Sequence, residues 1–311
     1  QSGYPGAIHY VNPKGGELFG QQIHTSILDV PSPVDLAVLL VPPPSVPQAM
    51  KDTGQRGIKA AIIATGGFKE TGPEGAKLEE EVLQIAGSFG IRFIGPNCIG
   101  IINTYFPFDT SFLQPPGPPA GDMAFLSHSG AICAAVIDWI RGQGGGLSHL
   151  FSLGNQTSVS ETDLLNLIAD DPKTRVITLY LEGVKQGGEF IRAATEAVHK
   201  KPIVALKVGR FESGKRAAAS HTGALAGQES AFDAAFEKAG VLRANTTEEM
   251  FQWARALAWC PIPGGNRVAV LTNSGGPGVT AADALEQNGM KLADLQDATM
   301  TALSKFLPAA A

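Results

Sequence analysis

Residues 123–141 run Met123-Ala124-Phe125-Leu126-Ser127-His128-Ser129-Gly130-Ala131-Ile132-Cys133-Ala134-Ala135-Val136-Ile137-Asp138-Trp139-Ile140-Arg141. The apolar run Met123–Ser127 is short enough for a buried strand. Ile132–Arg141 carries apolar residues at helical spacing. Between them lie only serine, histidine, glycine and alanine, so the stretch is a strand, a small-residue turn and a helix. Apolar runs of the same kind recur at Ala7–Val11, Leu36–Val41, Ala60–Ala64, Arg92–Ile94, Leu147–Leu153, Val176–Leu181, Ile203–Val208 and Val268–Thr272. Amphipathic stretches separate them, at Lys77–Phe89, Glu161–Ala169, Phe190–His199, Glu229–Ala239 and Thr247–Trp259. Strands alternating with helices imply an α/β protein with parallel, doubly wound sheets.

The chain has 311 residues, is 44% hydrophobic and 17% charged, and carries 37 glycines and 21 prolines. That composition suits a folded chain with several cores and many tight turns. A net charge of −5 argues against nucleic acid or an anionic membrane as partner. No apolar stretch approaches the roughly 20 residues that cross a bilayer. Cys98, Cys133 and Cys260 are scattered and form neither a disulfide framework nor a metal-binding pair, so a reducing cytoplasm is the expected setting. Proline-rich breaks at 114–119 and 260–265 divide the chain into units of 1–118, 119–262 and 263–311. The last is expected to hold one strand and one helix, too little to bury its own apolar face.

In a parallel sheet, ligands meet the rim where strands end and helices begin, because helix N-termini present free N–H groups and positive partial charge. Ser127 and Ser129 hydroxyls with the N–H groups of Gly130 and Ala131 suit a phosphate or carboxylate, and Ser129 also suits an N-cap. A nucleophile elbow needs Gly-x-Ser-x-Gly, whereas Ser127 and Ala131 flank Ser129 at those positions. Glu182 closes the run Leu179-Tyr180-Leu181 before Gly183; it is either a solvated strand-end acid or a carboxylate that orients an imidazole. Ala218-Ala219-Ser220-His221-Thr222-Gly223-Ala224-Leu225-Ala226-Gly227 places His221 among small residues, open to a reactant. It is a quiet loop histidine or a nucleophile or base. Cys98, in Gly95-Pro96-Asn97-Cys98-Ile99-Gly100, lacks a cationic neighbour to activate its thiol and is expected to be structural or ligand-lining. Gly276-x-Gly278-x-x-Ala281, with Asp294, formally fits a dinucleotide fingerprint, with Pro277 awkward inside it.

Together these strings resemble the α portion of the NDP-forming acyl-CoA synthetases, a family that includes ADP-forming acetate–CoA ligase and to which the succinyl-CoA synthetase α subunit is related. The resemblance rests on Gly95-Pro96-Asn97-Cys98 with Gly100, Ser127-x-Ser129-Gly130, Glu182-Gly183 and Ser220-His221-Thr222-Gly223-Ala224, in this order along nearly the whole chain. It implies a Rossmann-like CoA-binding domain followed by flavodoxin-like domains of the succinyl-CoA-synthetase type. It also implies a reaction in which acyl-CoA and phosphate give an acyl phosphate, which phosphorylates a histidine that passes the phosphoryl group to ADP. By this resemblance His221 would be the phosphorylated residue and Glu182 its orienting carboxylate. Ser127, Ser129, Gly130, Ala131, Thr222 and Gly223 would hold the phosphoryl oxygens. Asn97 and Cys98 would lie near the thiol end of CoA, and Lys14, Val41 and Pro42 near its nucleotide.

The family's first strand and glycine-rich turn, which grip the CoA phosphates, are expected to be missing before Gly3-Tyr4-Pro5-Gly6. An ATP-grasp module that binds ATP or ADP with Mg2+ is expected on a β subunit or on further chain, and an oligomer with it. The rival expectations are an acyl-CoA- or nucleotide-sensing portion of a protein acetyltransferase and an NAD-dependent oxidoreductase. A ligase that feeds its acyl-CoA into a further step is a variant of the main one.

Overall fold

The computed structural model describes residues 3–210 and 229–307. Two compact units are present, one up to Cys260 and one from Pro261. The chain begins with a short hairpin, β1 (Glu17–Leu18) and β2 (Gln21–Gln22). The run Ala7–Val11 does not form a strand; only Val11 makes an isolated bridge, to His24. The residues there are largely exposed, and period-2 apolarity without a burying face does not hold a strand.

The first parallel sheet has the order β3 (Leu36–Leu39), β4 (Ala60–Ile63), β5 (Arg92–Ile94). Its crossovers are α1 (Val46–Gln55) and α2 (Pro73–Phe89). Each carries a proline in its first turn, Pro47 and Pro73, where the missing N–H costs nothing. Gly90, in the left-handed conformation, stops α2. Leu39, Ile63, Phe93, Met50 and Val82 form the core of this layer.

The larger sheet has seven strands: β6 (Ile101–Asn103), β7 (Phe108–Asp109), β8 (Ala120–Ser127), β9 (Leu147–Ser152), β10 (Val176–Leu181), β11 (Ile203–Lys207) and β12 (Leu242–Ala244). Their order is β12-β11-β10-β8-β9-β6-β7, with β8 to β12 parallel and β6 and β7 antiparallel at one edge. The five parallel strands thus follow the flavodoxin-like 2-1-3-4-5 arrangement. Residues 101–109, which the sequence assigns to the unit before the 114–119 break, pair into this sheet through β9.

Alternation sorts the two faces. Met123 and Phe125 join one core with α3 (Gly130–Gly142), and Ala124 and Leu126 join the other with α4 (Glu161–Asp170) and α5 (Gly187–Val198). The helix Glu229–Ala239, α6, lies on the second face and Thr247–Trp259, α7, on the first. Covered on both sides, β8, β10 and β11 are nearly unbroken apolar runs. Each fully buried Leu, Ile or Phe contributes about 1.5–3 kcal/mol.

The unit from Pro261 contains β13 (Arg267–Val268) and β14 (Lys291–Leu292), paired in parallel, with helices Gly275–Gln287 and Asp297–Leu303. It holds two strands and two helices rather than the expected one of each. The anticipated strand Val268–Thr272 is only its first residue, because Val270 and Leu271 have no partner strand beside them and stay exposed.

Candidate active site at the sheet's switch point

Strands β8 and β10 are neighbours, but the helices that follow them, α3 and α5, pack on opposite faces. A crevice must open at their C-terminal ends, where Ser127–Ala131 and Glu182–Gln186 leave the sheet. The Ser127 hydroxyl is turned inward: it accepts the Ser129 N–H at 3.0 Å and donates to the Ser129 carbonyl at 2.9 Å. It shapes the turn. Ser129 is the N-cap of α3, its Oγ accepting the Ile132 N–H at 3.5 Å. The N–H groups of Gly130 and Ala131 belong to the first helical turn, which has no intrahelical acceptors, and Ala131 is exposed. Of the residues expected at the anion cradle, Ser129, Gly130 and Ala131 thus stand at the helix start, while the Ser127 hydroxyl is taken up by the turn itself.

Glu182 is 8% exposed and directly follows β10. Its backbone N–H donates to His128 Nδ1 at 3.0 Å. The other ring nitrogen, Nε2, lies 3.1 Å from Oε2 of Glu161, whose side chain is 1% exposed. Burial, and beyond it the Glu182 carboxylate, pushes the Tyr180 phenol up from its ordinary value. His128 and Glu161 are absent from the sequence-derived site. The only signal for them was the position of His128 inside the Ser127–Gly130 turn; nothing local links it to a residue 33 positions away.

The loop after β9 runs along the end of β5. Asn155 N–H donates to the Pro96 carbonyl at 2.9 Å, Thr157 N–H to Gly95 at 3.1 Å and Val159 N–H to Phe93 at 3.1 Å. Gly154 permits this approach: its φ is +55°, and a Cβ there would lie 2.2 Å from the Pro96 carbonyl oxygen. Behind the loop, Glu79 of α2 is 6% exposed and accepts from Asn155 Nδ2 at 2.8 Å, from the Lys69 N–H at 3.3 Å and from Thr157. Asn155 Nδ2 also donates to Glu70 at 2.7 Å. Glu70 lies below the ordinary carboxylate range: burial raises its pKa, but Asn155 and the N–H groups of Phe68 and Gly67 outweigh it. Lys185 donates to the Gln156 carbonyl, and its ammonium is held down at about 8 by burial first and by Lys69 second.

Asn97 is exposed, with φ +60°, and its Nδ2 is 3.5 Å from Asn155 Oδ1. Cys98 is buried at 3% exposure, its thiol pushed up to about 12 by burial, and Sγ donates to the Ile63 carbonyl at 3.4 Å. Val41 and Pro42 follow β3, and the Val41 carbonyl accepts the Thr65 hydroxyl at 2.8 Å just beyond β4. With Asn97 beyond β5, the three strand ends lie along one edge of the first sheet. Lys14 lies in the exposed turn Asn12–Gly15, where its N–H donates to Asn12 Oδ1 at 2.9 Å.

His221, Thr222 and Gly223 lie outside the described residues. The chain that leads to them departs beside Glu182: Val208 N–H donates to the Leu181 carbonyl at 3.0 Å. On either side of the segment, Arg210 Nε and Glu229 Oε2 are 3.5 Å apart, and Glu229 also pairs with Arg243. Thr157 and Ser158 line a polar cleft of about 480 Å³ with Lys185 and Glu161, while Ser111 and Phe112 line another of about 480 Å³ beneath Pro115–Gly117. Gly276, Gly278 and Ala281 all fall inside the helix Gly275–Gln287 rather than at a strand-to-helix turn, which removes the geometry of a dinucleotide fingerprint. Among the described residues no cluster of His, Cys, Asp and Glu could hold a metal, and no helix is long and apolar enough to cross a membrane.

Residues 2–104 match the family model for a CoA binding domain, and residues 120–257 that for a succinyl-CoA ligase like flavodoxin domain. Acetate–CoA ligase [ADP-forming] I of Archaeoglobus fulgidus is 43% identical over 306 residues, covering 98% of this chain and 44% of that protein. Acetate–CoA ligase [ADP-forming] II subunit alpha of Pyrococcus furiosus is 43% identical over 303 residues, 97% of this chain and 66% of that subunit. The structure of Ca. Korarchaeum cryptofilum dinucleotide forming acetyl-coenzyme A synthetase 1, in complex with phosphate and ADP, superposes with a TM-score of 0.93 at 39% identity, over 99% of this chain and 66% of that one. The chain thus spans 44% of the first relative's length and about two thirds of the other two.

Proposed function

Because the chain belongs to the NDP-forming acyl-CoA synthetase family, we propose that it is the α portion of an ADP-forming acyl-CoA synthetase. The reaction interconverts acyl-CoA, phosphate and ADP with carboxylic acid, CoA and ATP. His221 carries the phosphoryl group between the two halves of that reaction. Nucleotide and Mg2+ bind on an ATP-grasp module, either a β subunit or further chain; one relative is itself named a subunit alpha, and this chain spans 44% of another.

The observation that carries this reading is the convergence of the α3 start and Glu182 at the switch point, joined by His128. Phosphoryl transfer asks a protein chiefly for position and charge stabilisation. The N–H groups of Gly130 and Ala131, with the Ser129 cap, present positive partial charge to the phosphoryl oxygens. Glu182 orients the His221 imidazole, whose free nitrogen attacks phosphorus, and stabilises the positive charge that develops on the ring. Asn97 and the rim at Val41 and Pro42 receive the CoA, which supplies the thiol that leaves or attacks the acyl group. Cys98, protonated and buried, packs beneath that rim.

The test is phosphate labelling from ATP in the presence of the ATP-grasp partner. The label is expected to be acid-labile, base-stable and absent from His221→Ala. Label that persists in His221→Ala assigns the phosphoryl carrier elsewhere.

A further inference from the structure

The geometry points to His128 as the positioning residue that sets Glu182, an inference that rests on the role given to Glu182 above. The last backbone contact between the two rim loops is the His128 N–H donating to the Tyr180 carbonyl at 3.2 Å. Beyond it the β8–β10 ladder has ended, and the imidazole takes over: Nδ1 accepts the Glu182 N–H at 3.0 Å. A nitrogen that accepts carries no proton, so the ring proton sits on Nε2 and points to Glu161, 3.1 Å away. Glu161 is the first residue of α4, and its side chain and that of His128 are 1% and 2% exposed.

Three elements are thereby locked through one ring. α4 fixes the tautomer through Glu161, the tautomer makes Nδ1 an acceptor, and the acceptor holds the backbone from which the Glu182 carboxylate projects. His128 also lies between Ser127 and Ser129, so the same ring registers the α3 anion-binding turn against Glu182. Its two ring nitrogens are both engaged by protein groups. Its effect on the reaction passes through the Glu182 backbone.

Three substitutions separate this from space filling. Asparagine places Oδ1 near the position of Nδ1 and keeps the acceptor for the Glu182 N–H, but cannot reach Glu161. Glutamine reaches Glu161 but offers nothing at Nδ1. Leucine offers neither. In the complete enzyme, His128→Leu and His128→Gln are expected to slow His221 phosphorylation roughly tenfold, the worth of one buried hydrogen bond. His128→Asn is expected to restore most of the rate. In a Glu182→Gln background the His128→Leu loss should shrink to about twofold or less, since both changes act on one group. If glutamine, the closer match in size, proves the mildest change, or if the losses add fully, the positioning role is overturned.

Nitrogen-15 spectra give a readout independent of turnover. Among the six histidines, the resonances lost in His128→Asn should show a pyridine-type Nδ1 and a pyrrole-type Nε2. The opposite tautomer overturns the tether itself. A wild-type enzyme that takes no label on His221 overturns the proposed function, and with it the purpose of the tether, even where the tautomer is as assigned.

Discussion

Glu182 and Lys185 leave the same strand end three residues apart, and their surroundings give them opposite characters. Glu182 is buried, and its backbone N–H is held by the His128 ring, a setting for a carboxylate that acts by position. Glu182→Gln keeps the shape and removes the charge; it is expected to slow His221 phosphorylation at least about tenfold, the value of one charge-assisted hydrogen bond, with an unchanged melting temperature. A wild-type labelling rate would make Glu182 a bystander. Lys185 has its pKa held down at about 8, by burial and then by Lys69. The unfolded chain therefore binds this proton more tightly than the folded one. The cost is fully present below about pH 8 and is relieved as pH rises from 8 toward the ordinary 10.5 of a lysine, so this group makes stability rise across that window. NMR titration should find the Lys185 midpoint near 8, and Lys69→Met should move it upward; a midpoint that ignores Lys69 would leave burial as the whole cause.

At the scale of elements, the loop after β9 is where local sequence and tertiary contact meet. Leu153-Gly154-Asn155 was legible as the end of a strand and a turn, but the need for glycine comes from a distant segment. Gly154→Ala combines a left-handed backbone with a Cβ 2.2 Å from the Pro96 carbonyl oxygen. We expect a loss of more than about 2 kcal/mol, read as a lower urea midpoint. A loss of only about 1–2 kcal/mol, the cost of the left-handed conformation alone for a residue with a Cβ, would mean that the 93–98 segment gives way easily. Helix starts were easier to read. Glu161, Glu229 and Thr247 open their helices where the pattern placed them, and Ser129 caps α3. α1 was not legible: Val46-Pro47-Gln48-Ala49-Met50 buries its apolar face with only one turn of amphipathic pattern, and its prolines argue locally for a break.

Over the whole unit up to Cys260, the two sheets are tied by a polar cluster as well as by apolar packing. Glu79 on α2 accepts from Asn155, Thr157 and Lys69, which together bridge the first sheet's layer to the β9–α4 loop. Glu79→Leu removes the shared acceptor and leaves buried donors unmet, at about 1–3 kcal/mol. Equilibrium urea unfolding should show that loss, and Glu79→Gln, which keeps one acceptor, should show less. The alternation of strand and helix, the covered parallel strands and the glycine- and serine-rich rim turns were determined by the sequence alone, because period and turn chemistry are local properties. So was the order of motifs that places the chain in its family. The tertiary structure alone decided that residues 101–109 pair with the larger sheet, that Ser127 faces inward, and that His128, Glu161 and the Glu182 amide meet. Apart from the Ser127–Ser129 turn, which is local, those contacts join residues 33 to 54 positions apart. Only the strand order β9-β8-β10, a consequence of which helix covers which face, brings such positions to one rim.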